Sequence, residues 1–340
     1  MNCQATIKAI ASYLPPTKLT NEQLGQEFPN WDIEKTFQNT GVAIRSIAER
    51  NECTSDLGVL AAEKLFTQIG CRPEDIDFLL FCTQTSDYFL PSSACVIQDR
   101  LGLRTSCGAI DINLGCSGFV YGLSLAKGLI ETDLAENILL IVGDTLSKVI
   151  NDQDRSARSL FSDGASATLI SGVEADEMKI GPFVFGTDGR GARNLIIPAG
   201  GLRIPLTSET AIAKDDGSGN IRTSQNLFMD GAEIFNFTLR TVPTAVRQLL
   251  EKCRMALEEV DFFVFHQANK FMLEALRRKI KIPREKFSIN LEFYGNTSSA
   301  TIPMALEVAL SQGQIQPGAK VLVAGFGVGY SWAAAMIRID

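Results

Sequence analysis

The chain has 340 residues, a formal net charge of −7 and 45% apolar residues, the composition of a globular protein long enough to bury a large core without disulfide or metal staples. It contains a single histidine, His266, which excludes every mechanism that needs two imidazoles. Its eight cysteines include no CxxC pair, which argues against a zinc site and leaves no metal expected, and its acidic total disfavours nucleic acid as a general partner.

From the N-terminus, MNCQATIKAIASYLPP lacks a basic start followed by an apolar run, so no secretory signal is read there, and scattered cysteines fit reduced thiols in the cytoplasm. Strand-like FLLFC at 78–82 leads to helix-like SACVIQDRLG at 93–102. Strand-like GAIDINL at 108–114, helix-like SGFVYGLSLAKGLIE at 117–131 and strand-like NILLIVG at 137–143 follow. Such alternation predicts a sheet whose strands are joined through helices. Residues 186–230 are rich in Gly, Asp, Ser and Thr and read as a capping excursion of the long kind that is usually functional or mobile. Then EEVDFFVF at 258–265 repeats EDIDFLLF at 74–81 with an offset of 184 and four identities, each copy preceded by an amphipathic helix (AAEKLFTQI and AVRQLLEKC). The same offset roughly aligns 138–143 with 322–327. The chain therefore reads as two copies of one α/β unit, divided at 173/174. Residues 321–337 carry no charge, but VLVA runs into a Gly-rich loop, so a buried strand, a loop and a second strand are expected rather than a membrane span.

Three residues stand out for chemistry. Cys116, in NLGCSGF, lies between a strand and a helix, where the helix dipole and free N–H groups favour a thiolate. Gly115 and Gly118 beside it permit a sharp turn and a close approach by substrate. His266 follows the apolar run FFVF, at the strand end where open α/β sheets place ligands, in the position that Cys82 holds in the first half. Asn296, in YGNTSSA, matches Cys116 under the duplication, and could equally be a simple helix cap. GFGVG at 325–329 lacks dinucleotide-loop spacing, since residue 330 is Tyr, and its N–H groups suit an oxyanion hole.

GCSGF, FSDGASA at 161–167, HQAN at 266–269, YGNTSSA at 294–300 and GFGVGYSW at 325–332 together resemble β-ketoacyl-(acyl carrier protein) synthase III of the thiolase superfamily. The resemblance implies an α/β thiolase fold, five layers αβαβα built from duplicated halves at 1–173 and 174–340. It implies Cys116 as the nucleophile that takes an acyl group from acyl-CoA or an acyl carrier, with His266 and Asn296 assisting decarboxylative condensation with malonyl-acyl carrier protein, and the backbone N–H groups of Cys116 and Val328 as oxyanion hole. One histidine cannot supply a Cys-His-His site, and Asn296 in GNTS fits the decarboxylating branch. Substrate contacts are implied at Arg155, Asn269, Leu90, Phe326 and Gly327. A cytoplasmic homodimer is implied, with CoA and phosphopantetheine thioesters as substrates and no tightly bound cofactor.

The chain departs from the family pattern in several places. Lys35 and Asn39 stand before Thr40-Gly41 where the family has Trp and Arg, and Trp31 is four residues out of register, so weak CoA binding or another carrier as donor is expected. Val328 replaces a family Gly. Leu90 replaces a Phe that reaches across the dimer to close the acyl pocket, which fits a longer or different acyl chain, in fatty-acid initiation or a specialised pathway. The stretch 270–286 sets seven cations against Glu274 and Glu285. Charge runs are ordinarily solvated faces, but Lys270, Arg278 and Lys279 align with family docking residues for an acidic carrier protein. The competing readings are a non-decarboxylating acyl transferase using the same cysteine, a non-catalytic thioester-binding protein, and a Cys-His-Asn hydrolase whose local motifs are absent.

Overall fold

The computed structural model describes residues 2–339. The apolar runs form two sheets. In the first, Phe78–Cys82 pairs in parallel with Asn137–Asp144 on one side and Gly108–Ile112 on the other. The antiparallel strands Gly164–Ala175 and Asn2–Tyr13 complete five strands, leaving Gly108–Ile112 at an edge. In the second sheet, Phe262–Phe265 pairs in parallel with Lys320–Gly327, followed by antiparallel Ser331–Arg338 and Ile180–Thr187.

Two helices, Gly118–Glu131 and Thr301–Ser311, lie between the sheets and touch strands of both. Their sequences are apolar nearly all round, as burial on two sides requires, and Phe119, Leu123, Ile302 and Leu306 reach the central core without exposure. The outer face of the first sheet is covered by Thr54–Ile69 and Ser93–Arg100, and that of the second by Gly231–Cys253 and Lys270–Ile280. These outer helices are amphipathic: Leu57, Ala61 and Leu65 are buried while Glu63 and Lys64 face solvent. The layers therefore run helix, sheet, helix, sheet, helix, the thiolase arrangement.

The strands and helices expected between 78 and 143 are found within two residues of their ends. Residues 320–338 form the two buried strands expected there. The offset of 184 holds for Phe78 and Phe262, which start equivalent strands, but not for their neighbours. Phe78 faces Ile138 whereas Phe262 faces Val321, so the second half is slipped by one residue. The fifth strand of that half is reduced to a single parallel bridge between Phe263 and Phe287. The long N-terminal strand carries no alternating pattern, because both its faces are partly covered, so periodicity does not mark it. The chain leaves the first sheet at Ala175 and enters the second at Ile180, a few residues later than the division drawn from the repeat. Within 186–230, after Thr187, only two-residue strands occur. Among the described residues, no helix is long and apolar enough to cross a membrane, and no group of three or more His, Cys, Asp or Glu side chains could hold a metal ion.

Candidate active site

The strand ends of the two halves meet where Cys116, His266 and Asn296 line one cavity of about 70 Å³, together with Asn269, Phe326, Gly327, Leu160 and Phe161. Cys116 lies two residues ahead of the Gly118–Glu131 helix. His266 continues the parallel ladder beyond Phe265, its N–H donating to the Ala324 carbonyl at 2.8 Å. Asn296 is clamped to the first half: its N–H donates to Leu160 O and its carbonyl accepts from Ser162 N, both at 3.0 Å. Both readings of Asn296 hold at once. Its Oδ1 caps the turn by accepting from Ser298 N at 2.9 Å, while its amide nitrogen makes only a long contact, 3.3 Å to Ala268 O, beside the cavity.

The sequence placed Cys116 in a setting that favours its thiolate, and the structure corrects this. Burial, and then the carboxylate of Asp144, push the thiol up to about 12, against smaller opposing contributions from the N–H groups of Val328 and Cys116 and from the Ser298 hydroxyl. A helix N-terminus contributes less than complete removal from water costs. The flanking glycines also serve packing rather than substrate access. A Cβ on Gly115 would lie 2.0 Å from Gln84 Oε1, and one on Gly118 2.3 Å from Cys82 Sγ.

His266 is 2% exposed, and burial depresses its pKa to about 3, against a smaller opposing contribution from the Ser298 backbone. The ring is neutral at physiological pH. Its Nδ1 lies 2.7 Å from Thr301 Oγ1, which donates to the Ser298 carbonyl at 2.9 Å and in that orientation accepts from an Nδ1–H. Rotation of one hydroxyl therefore governs which ring nitrogen carries the proton.

A second cavity, of about 140 Å³, opens on the other side of Cys116. Leu146, Phe161, Leu195, Ile196, Ile197 and Leu227 supply its apolar wall, and Gln84, Asn113, Ser298 and Val328 complete the lining. Leu90 lies elsewhere. It is 82% exposed and lines neither cavity of its own chain; the pocket expected for it is that of a second copy. Asn269 reaches the first cavity, but its Oδ1 is committed to capping the Lys270–Ile280 helix at Met272 N, 2.8 Å away.

Arg155 lies over the Trp31 ring, 5.7 Å from its centroid, and Phe28 packs edge-on against the same indole. The tryptophan that the sequence puts four residues out of register thus stands beside the arginine, because it sits in the turn just before Asp32, the cap of the helix that follows. Lys270, Arg278 and Lys279 are exposed, but the basic stretch is less free than its charge count. Arg277, Arg278 and Arg284 all approach Glu274, and Lys286 is bound to the carbonyls of Glu258 and Val260.

The sequence reading missed Asp144, Ser298, Thr301 and Arg45. Asp144 is the residue after NILLIVG, and an acid closing a fully apolar strand was a usable signal. Ser298 and Thr301 were hidden in a run that reads as a helix cap. Arg45 is wholly buried and braces the segment before Phe161 by donating to the Ser159 carbonyl at 2.6 and 2.9 Å. Nothing in its neighbourhood of the sequence marks it.

Residues 110–189 match the family model of 3-oxoacyl-[acyl-carrier-protein] synthase III, and residues 250–339 match the C-terminal model of the same enzymes. A β-ketoacyl-[acyl-carrier-protein] synthase III of Caldanaerobacter subterraneus is 38% identical over 98% of this chain and 97% of its own. A crystal structure of a 3-oxoacyl-(acyl-carrier-protein) synthase III superimposes with a TM-score of 0.98 at 49% identity, covering 99% of this chain and 100% of the other. The 3-oxoacyl-(acyl-carrier protein) synthase of Burkholderia xenovorans does so with 0.91 at 38%, covering 99% and 94%.

Proposed function

Because the chain belongs to the β-ketoacyl-[acyl-carrier-protein] synthase III family, we propose that it condenses an acyl thioester with a malonyl thioester on acyl carrier protein, releasing CO2 and leaving a 3-oxoacyl chain on the carrier. The observation that carries this reading is the convergence of Cys116, His266 and Asn296 on one cavity. Cys116 Sγ attacks the acyl carbonyl, the oxyanion is held by the N–H groups of Cys116 and Val328, and the donor thiol departs to leave an acyl-enzyme. The apolar cavity beyond Cys116 takes the acyl chain. Malonyl thioester then loses CO2, and the pair from the broken C–C bond moves onto the thioester oxygen as an enolate. His266 and the Asn296 amide donate to that oxygen without removing any proton; for this the Thr301 hydroxyl turns from the Ser298 carbonyl to donate to Nδ1, which leaves the ring proton on Nε2. The enolate carbon attacks the acyl group and expels the Cys116 thiolate.

CoA and phosphopantetheine thioesters serve as substrates, with no tightly bound cofactor. The pairing of Arg155 with Trp31 favours an adenine-bearing donor more than the aligned sequence did. Lys270, Arg278 and Lys279 form the docking face for the acidic carrier. The protein acts as a cytoplasmic homodimer. Its open edge strand Gly108–Ile112, with Ile110 half exposed, and the exposed Tyr88, Phe89 and Leu90 support a second copy seated there.

The test supplies acyl donor and malonyl-acyl carrier protein labelled at the free carboxyl. Label should be released as CO2 in step with 3-oxoacyl product, and Asn296→Ala should slow release roughly 10²–10³-fold while still forming the acyl-enzyme. Transfer of the acyl group without release of label would make the protein an acyl transferase instead.

A further inference from the structure

Asp144 closes the most deeply buried strand of the first sheet and is itself without exposure. One carboxylate oxygen is fully engaged: Oδ1 accepts from Gln84 N at 2.7 Å, Thr83 Oγ1 at 3.1 Å and Thr85 Oγ1 at 3.2 Å. The other, Oδ2, is buried without a hydrogen-bond partner, and so is the Ser298 hydroxyl. Two buried polar atoms left open in one place are costly. They also lie together: the strand ending at Asp144 packs against Ser298–Ala300, and Ser298 lines the same cavity as Cys116, so that its hydroxyl favours the charged forms of both Asp144 and Cys116. Ser298 is held there in the left-handed region, with φ of 54°, by its N–H on Asn296 Oδ1 and its carbonyl on Thr301 Oγ1. A non-glycine residue in that region is strained, and here the strain aims a hydroxyl between a nucleophile and a carboxylate.

We propose that Ser298 and Asp144 form a proton relay for Cys116, in which Ser298 takes the thiol proton as it passes its own hydroxyl proton to Asp144 Oδ2. Ser298, which lines the same cavity as Cys116, is the group that exchanges a proton with the sulfur. Asp144 acts through it, as the positioning residue that orients the hydroxyl and receives its proton. The sulfur pair released from the S–H bond forms the bond to the acyl carbon, and the carbonyl pair moves onto oxygen. Collapse of that intermediate breaks the bond to the donor sulfur, and the departing thiolate takes the proton back from Asp144 through Ser298. Nothing is oxidised or reduced. The relay answers a need set by the site, since the buried Cys116 thiol does not ionise unaided near neutrality.

The titratable groups facing Asp144 are the thiols of Cys82, at the end of the neighbouring strand, and of Cys116. The remaining contacts are the neutral Thr83, Gln84, Thr85 and Ser298. Burial raises the Asp144 pKa to about 6 against these hydrogen bonds. The carboxylate that accepts the proton is therefore present above about pH 6 and lost below it.

This inference rests on the acyl-Cys116 reading, and the experiment separates the two. Single-turnover acylation of the whole protein by acyl-CoA is followed by mass spectrometry from pH 5 to 9, for the wild type, Asp144→Asn and Ser298→Gly. Glycine keeps the positive φ and the backbone bonds while removing the hydroxyl. The wild type should acylate faster as pH rises through about 6. Each variant should acylate roughly 10²-fold more slowly and lose that rise, while thermal melts report folding, so that either folded variant suffices. Variants that acylate as fast as wild type, or faster because the negative charge beside the thiol is gone, with the pH profile unchanged, would overturn the relay. Failure of the wild type to acylate with any donor would instead overturn the acyl-enzyme reading.

Discussion

His266 and Asp144 depart from their ordinary pKa values in opposite directions, and the signs fix how each responds to pH. Burial holds His266 neutral down to about pH 3, whereas its ordinary value is 6.5. The unfolded chain therefore binds a proton that the folded chain refuses, and His266 destabilises the fold as pH falls below that ordinary value. Because it is the single histidine in the sequence, its ring resonances in an NMR spectrum are unambiguous. They should stay those of a neutral imidazole from pH 8 to 5. Asp144 behaves oppositely: its folded pKa of about 6 lies above the ordinary 3.8, so its favourable contribution is present at acid pH and lost as pH rises through about 6. Asp144→Asn should accordingly raise the melting temperature relative to wild type at pH 8, and by much less at pH 4.5. For catalysis, His266→Ala should reduce condensation by roughly 10²–10³-fold while acylation of Cys116 survives in part. Thr301→Val, which removes the hydroxyl 2.7 Å from Nδ1, should slow condensation and spare acylation.

The turn carrying Cys116 and the strand carrying Gly325 and Gly327 approach each other so closely that side chains are excluded. A Cβ on Gly325 would lie 2.6 Å from the Cys116 carbonyl and 2.7 Å from Ser117 Cα, both backbone atoms, while one on Gly327 would lie 2.7 Å from Cys116 Sγ. Gly325→Ala should therefore destabilise the fold by about 1–3 kcal/mol in denaturant titrations. Gly327→Ala, whose Cβ would also lie 2.9 Å from Cys116 Cβ, should block acylation as well as cost stability, because the Cys116 side chain as a whole must move. These contacts show where sequence reasoning succeeded. Alternation of apolar strands with helices, the repeat of EDIDFLLF as EEVDFFVF, and the Gly-flanked Cys116 all report local patterning, and local patterning survived folding. What joins elements distant in sequence did not show. The carboxylate that raises the Cys116 thiol comes from residue 144, and the hydroxyl that opposes it from residue 298. The thiolate expectation failed for the same reason. A helix start is visible in sequence, but burial by two sheets is not.

For the whole molecule, association and carrier docking carry the remaining predictions. Tyr88, Phe89 and Leu90 are exposed, and Gly108–Ile112 is an edge strand of the first sheet. If the proposed dimer forms through this face, Phe89→Asp should convert it to monomer in analytical ultracentrifugation. Reversing Arg278 and Lys279 to Glu should raise KM for malonyl-acyl carrier protein about tenfold or more and steepen no salt dependence, while kcat with malonyl-CoA stays unchanged. Arg277 should matter less for docking and more for stability, since it is tied to Glu274 and the Ile282 carbonyl. The duplicated halves explain why the site exists where it does: equivalent strand ends deliver Cys116 from one half and His266 and Asn296 from the other to a single cavity. All the chemistry depends on a covalent step at that cysteine. The most direct measurement is intact-protein and peptide mass spectrometry after incubation with a panel of acyl-CoA and acyl-carrier donors. The account predicts one added acyl group, on the peptide containing Cys116, discharged when malonyl-acyl carrier protein is added. An absence of adduct with every donor, or an adduct on another cysteine that malonyl-acyl carrier protein discharges equally well, would contradict it.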